Sequence, residues 1–150
     1  MSASTDPQTI LNRWIEALNA NDFAAIDELL AEDCMMDYPQ SGEIIRGRKN
    51  FRAILENYPS RLGRDTVDPA SARLIGGDQW AITPSFALVR ISGVGDSRTM
   101  ILKTRYPDDS VWWVIHFAEF SGGKISKTTV YFAPVFDPPE WRAQWVERSR

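Results

Sequence analysis

One cysteine, Cys34, and one histidine, His116, are all the chain offers in thiols and imidazoles. A disulfide framework needs cysteines in pairs, so none can form within the chain. A tetrahedral zinc site or a facial-triad iron site has almost nothing to draw on. No metal and no cofactor is expected, and a reducing compartment fits. Long apolar runs are missing too. No stretch approaches the ~18 residues of a membrane-crossing helix. The opening MSASTDPQTILNRWIEALNA has neither a basic leader nor an unbroken apolar core, so it does not read as a secretory signal. The expectation is a cytoplasmic protein with no membrane partner. An excess of positive charge is also absent: 17 basic residues face 20 acidic ones, for a net charge of −3. Arg46, Arg48 and Lys49 make the one short basic cluster, without interleaved aromatics, and nucleic acid is not an expected partner. Gly93-Val94-Gly95 lacks the continuation of a nucleotide loop and reads as a hairpin turn. No phosphate-binding loop and no Gly-x-Ser-x-Gly nucleophile elbow occurs.

Aromatic side chains are abundant: six Trp, seven Phe and four Tyr in 150 residues. Such side chains fill large cores or line large cavities. The length suits one domain, residues 1–150, which buries about 68–70% of its unfolded surface without covalent staples.

The hydrophobic spacing predicts helices first and strands afterwards. Asp6-Pro7 is a helix start, and Ile10, Leu11, Trp14, Ile15 and Leu18 then share a face. Asn19-Ala20-Asn21-Asp22 breaks the chain and caps a second helix whose face carries Phe23, Ile26, Leu29 and Leu30. Cys34 to Tyr38 reads as a short strand ended by Pro39. A third helix follows Gly47, with Phe51, Ile54, Leu55 and Tyr58 inward, and ends at Pro59. From about Thr66 the period becomes two. Trp80, Ile82, Phe86 and Leu88 alternate with small residues, although Pro84 demands a bulge or an edge. Met100, Leu102, Thr104 and Tyr106 form the return strand. Val111–Phe120 is apolar on both faces, which predicts cover on both. Ser121-Gly122-Gly123 turns into a last strand, Lys124–Phe132. Asp137-Pro138-Pro139-Glu140 reads as a capping box opening a short C-terminal helix with Trp141 and Trp145. Helices followed by a run of strands indicate an α+β fold.

WIEALNANDFAAIDELLAEDC (14–34), YPQSGEIIRGRKNF (38–51) and HFAEFSGGKISKTTVYFAPVF (116–136), in that order, resemble the nuclear transport factor 2-like superfamily. The resemblance is closest to its SnoaL-like members and to bacterial ketosteroid isomerase, and it spans nearly the whole chain. It implies a cone-shaped α+β barrel. Three N-terminal helices would pack on a strongly curved, mostly antiparallel sheet, around a pocket for a small hydrophobic molecule between the first helix and the sheet. It also implies a homodimer formed through the outer sheet face.

In ketosteroid isomerase an Asp moves a proton while a Tyr and a protonated Asp hold the oxyanion. By resemblance the oxyanion Tyr falls on Trp14, the base on Tyr38 and the second acid at or near His116. All three differ, which speaks against that isomerase activity itself. A dehydratase pattern with two histidines is out of reach. An epoxide-hydrolase pattern of Asp, Arg and Asp finds Asp37 and Arg105, but the sequence does not place a second Asp beside them. A cyclase needs one proton shuttle, which Asp37 or His116 could provide.

His116, Tyr38 and Asp37 are therefore the candidate catalytic residues, and Trp14, Trp80, Phe86 and Tyr131 the candidate ligand contacts. Each has a plainer reading. His116 sits among Trp, Val, Ile and Phe and could be a satisfied core histidine. Trp14, Trp80 and Phe86 could simply be core. Asp37 and Tyr38 are neighbours on a strand and point to opposite faces, so only one can face the pocket unless a bulge intervenes. Cys34 with His116 is the one thiol–imidazole pair, with no orienting group in view. Two functions stand side by side: a cofactor-free isomerase, cyclase or dehydratase acting by acid–base catalysis, and a non-catalytic domain that holds a small ligand. A protein-interaction domain is the weakest third.

Overall fold

The structure is a computed structural model. It describes residues 6–57, 85–105 and 109–148, with the backbone alone for 85–89. Helix α1 spans Pro7–Ala20, and its start is fixed by Asp6, whose side chain accepts from the Thr9 N–H at 3.1 Å. Its end is fixed by Asn21, which adopts a left-handed conformation at φ 55°, one that Asn tolerates better than most residues. Ile10, Leu11, Trp14, Ile15 and Leu18 are all buried, as the spacing predicts. Each such side chain taken from water contributes on the order of 1.5–3 kcal/mol.

Helix α2, Phe23–Leu29, is capped by Asp22, which accepts from the Ala25 N–H. It passes directly into strand β1, Leu30–Tyr38, so Leu30 belongs to the strand and not to the helix. The carbonyls at its C-terminal end meet cations. Arg48 Nη1 donates to the Asp27 and Leu30 carbonyls at 3.1 and 3.4 Å, and Lys124 Nζ to that of Glu28 at 2.6 Å. Positive charge is favourable at that end of a helix. Strand β2, Glu43–Arg46, returns along β1, and helix α3 covers Arg48–Glu56. Phe51 is buried and stacks on Trp14 at 5.5 Å. Ile54, expected inward, is exposed. α3 ends at Glu56, short of Pro59, and Tyr58, Pro59, Trp80, Ile82, Pro84 and Tyr106 lie outside the described residues.

Strands β3 (Ser85–Ser92), β4 (Ser97–Arg105), β5 (Val111–Ser121) and β6 (Lys124–Pro134) form an antiparallel meander. β6 then pairs in parallel with β1, giving the order β2-β1-β6-β5-β4-β3. The sheet is not closed: among the described residues β2 and β3 remain its edges. Register shifts at Leu30/Met35, Leu88/Arg90 and Glu119/Phe120 bend the strands that carry them. Gly93 makes the β3–β4 turn possible. Its φ is 105°, and a Cβ there would stand 2.6 Å from the Ser97 carbonyl oxygen.

One expectation is met in part and one is corrected. Among the described residues only one face of β5 is covered. Val114, His116, Ala118 and Phe120 are buried, while Trp113 and Phe117 on the other face are exposed. The apolar second face is real, but no element of the described chain lies over it. The capping box at Asp137 does not form either. Glu140–Trp145 is a 3₁₀ run entered from Pro139 without a side-chain cap. Pro139 has no side-chain acceptor to offer the first turn, and Trp141 and Trp145 project outward instead of anchoring a helix.

Candidate functional site

The covered face of the sheet is built by alternation. Met36 on β1, Thr128 and Val130 on β6, Val114 and His116 on β5, and Met100, Leu102 and Thr104 on β4 all point inward and are buried. The register sets His116 beside Met100 on one side and Val130 on the other. On β1, Asp37 stands beside Thr129, which brings the next pair, Tyr38 and Val130, level. Tyr38 shares Met36's side of the strand, and its ring meets Phe132 edge-on at 5.4 Å. Tyr38, Val130, His116 and Met100 thus form one row across four strands. At the usual strand spacing, the backbones of Tyr38 and His116 are roughly 10 Å apart with only Val130 between them.

Three polar atoms in this interior have no hydrogen-bond partner among the described residues: Trp14 Nε1, Thr104 Oγ1 and His116 Nδ1. A buried polar group left unpaired costs about 1–3 kcal/mol. The contrast with Thr128 is informative, because its hydroxyl donates to Met36 Sδ at 2.7 Å. Thr104, His116 and Thr128 are the only buried polar or charged side chains among the described residues. The Tyr38 hydroxyl also donates to no group among them.

Burial governs the electrostatics. It pushes the His116 pKa down to about 4, so the imidazole is neutral at pH 7. It pushes the Tyr38 phenol up to about 12, helped by the negative charge of Glu43 opposite it on β2. The interior therefore offers a neutral imidazole, a protonated phenol, an indole N–H and a hydroxyl. The described residues bring no group of three His, Cys, Asp or Glu side chains within reach of a metal ion.

Tyr38, His116 and Trp14 come to the inner side of the molecule. Asp37 and Tyr131 do not. Asp37 alternates with Tyr38 and pairs with Ile44 and Thr129 on the outer face. Tyr131 is exposed there, edge-on to Phe117 at 6.0 Å. Asp37 and Arg105 are not brought together, because Arg105 is held by Asp109 at 3.0 Å. Trp80 and the Phe86 side chain lie outside the described residues. Cys34 is buried, and burial raises its pKa, which leaves a thiol and not a nucleophilic thiolate. Sequence reasoning placed Thr104 in a strand but missed it as a site residue. The signal was a lone hydroxyl in register with Met100 and Leu102.

Helices packed on one face of a six-stranded, mostly antiparallel sheet, with polar atoms held in the interior between them, define the nuclear transport factor 2-like cone fold. Residues 11–128 match the SnoaL-like domain, and the chain belongs to that family. Among solved structures it is similar to a nuclear transport factor 2-like protein of unknown function from Burkholderia xenovorans LB400. The two are 29% identical over 95% of this chain and 94% of that one, with a TM-score of 0.73. A candidate ketosteroid isomerase from Kribbella flavida is 22% identical over 95% and 89%, with a TM-score of 0.72. A candidate polyketide cyclase from Sinorhizobium meliloti is 14% identical over 86% and 100%, with a TM-score of 0.61. No curated protein matches the chain. Among the described residues no helix is long and apolar enough to cross a membrane.

Proposed function

We propose that this protein binds a small, largely hydrophobic molecule in a pocket between α1 and the inner sheet face, and acts on it without a cofactor as an isomerase, cyclase or dehydratase. The observation that carries the reading is the set of unpaired interior atoms on Trp14, Thr104 and His116. They are costly unless something accepts or donates to them. A ligand with a carbonyl or hydroxyl among apolar rings would satisfy them.

The two perturbed groups have complementary roles in such a site. His116, deprotonated down to about pH 4, takes a proton from carbon beside a carbonyl and returns it elsewhere on the same molecule. A base with a pKa near 4.6 suffices for that step in ketosteroid isomerase. Tyr38, protonated up to about pH 12, donates to the oxygen on which negative charge develops. The names of the Kribbella and Sinorhizobium relatives fit proton-transfer chemistry of this class. Trp14 binds and orients.

A second reading, a non-catalytic ligand-binding domain, is favoured by one observation. Among the described residues no carboxylate is buried, so the acid–base pair of the isomerase pattern is replaced throughout. One experiment separates the two. The imidazole signals of His116 are followed by NMR against steroids, terpenoids and aromatic polyketides, and each compound that shifts them is assayed for turnover. Catalysis predicts turnover that falls by about 10²–10⁴-fold in His116→Gln or Tyr38→Phe. Shifts without turnover favour the binding domain. Signals that respond to no compound overturn both readings and leave His116 as core.

A further inference from the structure

The inward face of the sheet carries polar side chains at two separate levels. Tyr38 and His116 share one cross-strand row, which His116 continues to Met100 on β4. Thr104 stands two inward rows further along β4, paired with Trp112 on β5, which in turn pairs with Pro134 on β6. The row between the two levels is Leu102, Val114 and Phe132, and it is wholly apolar. From Met100 to Thr104 the strand advances by roughly 13 Å at the usual rise per residue. A single carbonyl or hydroxyl on a ligand cannot meet both levels at once.

Nothing in its own surroundings answers the Thr104 hydroxyl. The residue is 0% exposed, and its Oγ1 has no partner. Beside it, the Trp112 indole N–H is already spent on Ser110 Oγ at 3.0 Å. Pro134 brings no polar side-chain atom. Arg105, the next residue, alternates to the other side of β4 and is held by Asp109. Trp14 has a second reason to be where it is, because its ring stacks on Phe51. Thr104 has no such reason for its polar atom: a valine would fill the same space and leave no hydroxyl unpaired.

We propose that Thr104 is a distal anchor, which bonds an oxygen at the end of the ligand remote from the group that meets His116 and Tyr38. The inference rests on the ligand-binding reading above and extends it to the shape of the ligand. That ligand is elongated. It is apolar along its middle, where it passes Leu102, Val114 and Phe132, and oxygenated at both ends, like a fused-ring molecule with a ketone or hydroxyl on each terminal ring. A threonine hydroxyl both donates and accepts, so either function suits it. Thr104 takes no part in proton transfer; it sets which ligands are held and in which direction they lie.

Two pairs of probes test this, each pair differing by one terminal oxygen. One is androstenedione and its analogue without the ketone on the five-membered ring. The other is anthracene with a hydroxyl on both end rings or on one. Affinities are read from NMR titration of the imidazole signals of His116, the sole histidine. In the wild type the doubly oxygenated member of a pair should bind about three- to tenfold more tightly, the range of one hydrogen bond. In Thr104→Val that ratio should fall to about one, and Thr104→Ser should restore it. A ratio that Thr104→Val leaves unchanged, with both affinities moving together, overturns the proposal and makes Thr104 merely structural. A wild-type ratio near one also overturns it, while the response of His116 leaves the ligand-binding reading standing. If neither pair moves the His116 signals, that reading fails and the distal anchor fails with it.

Discussion

The side-chain amide of Gln40 pairs with the main chain of Phe132, 92 positions further on, through two hydrogen bonds. Its Nε2 donates to the Phe132 carbonyl at 2.8 Å, and its Oε1 accepts from the Phe132 N–H. The amide acts as one more rung of β1 beyond Pro39, which has no N–H to offer a ladder. The same contact holds Phe132 against Tyr38. Gln40→Ala should cost about 1–2 kcal/mol in chemical denaturation and blunt any response of the protein to ligands that depends on Tyr38. An unchanged denaturation midpoint would show the pairing to be energetically idle.

Thr104 presents a different balance. Its hydroxyl is buried and unpaired, so Thr104→Val removes a polar atom while nearly keeping the side-chain shape. The folded state should gain on the order of 1 kcal/mol. Ligand affinity should fall in the same variant, because the hydroxyl is then a binding group held at the expense of stability. Thermal denaturation with and without the ligand identified by NMR reads both effects. A variant less stable than the wild type contradicts the unpaired assignment.

His116 predicts a pH dependence with a definite sign. Its ordinary pKa is 6.5, and burial lowers it to about 4 in the folded chain. Between those values the unfolded chain takes up a proton that the folded chain refuses. Stability from this group is complete above pH 6.5 and is lost as pH falls toward 4. The loss approaches roughly 3 kcal/mol in all. Urea midpoints measured from pH 7 to pH 4 should fall more steeply for the wild type than for His116→Gln. Parallel curves would mean that the imidazole is not held neutral in the fold.

Local features were the most legible part of the sequence. Asp6-Pro7 and the five apolar positions after it fix α1 and its buried face, because capping and a 3.6-residue period are short-range signals. Ser121-Gly122-Gly123 marks a turn whose glycines do adopt positive φ. Alternation also showed that Asp37 and Tyr38 could not share a face. Which of them points inward is decided by the pairing of β1 with β6, a contact between distant segments with no local signature. Tyr131 was unreadable for the same reason, since Val130, Tyr131 and Phe132 are bulky on both sides of the strand. The two apolar faces of β5 were visible in the sequence. That the described residues cover only one of them was not, because periodicity reports hydrophobicity and not the identity of the covering surface. Trp14 was legible as a buried residue, but its unpaired indole N–H depends on what surrounds it in three dimensions.

Among the described residues the sheet has one parallel contact, and it sets an order of events. β1 leaves the ribosome well before β6, and each antiparallel hairpin between them can close on its own nascent neighbours. Tyr38 and Gln40 must wait for Val130 and Phe132, because long-range pairing must close its loop before any contact rewards it. The row from Tyr38 to His116 is therefore a late product of folding. The helices leave the ribosome well before there is a complete sheet face for them to cover.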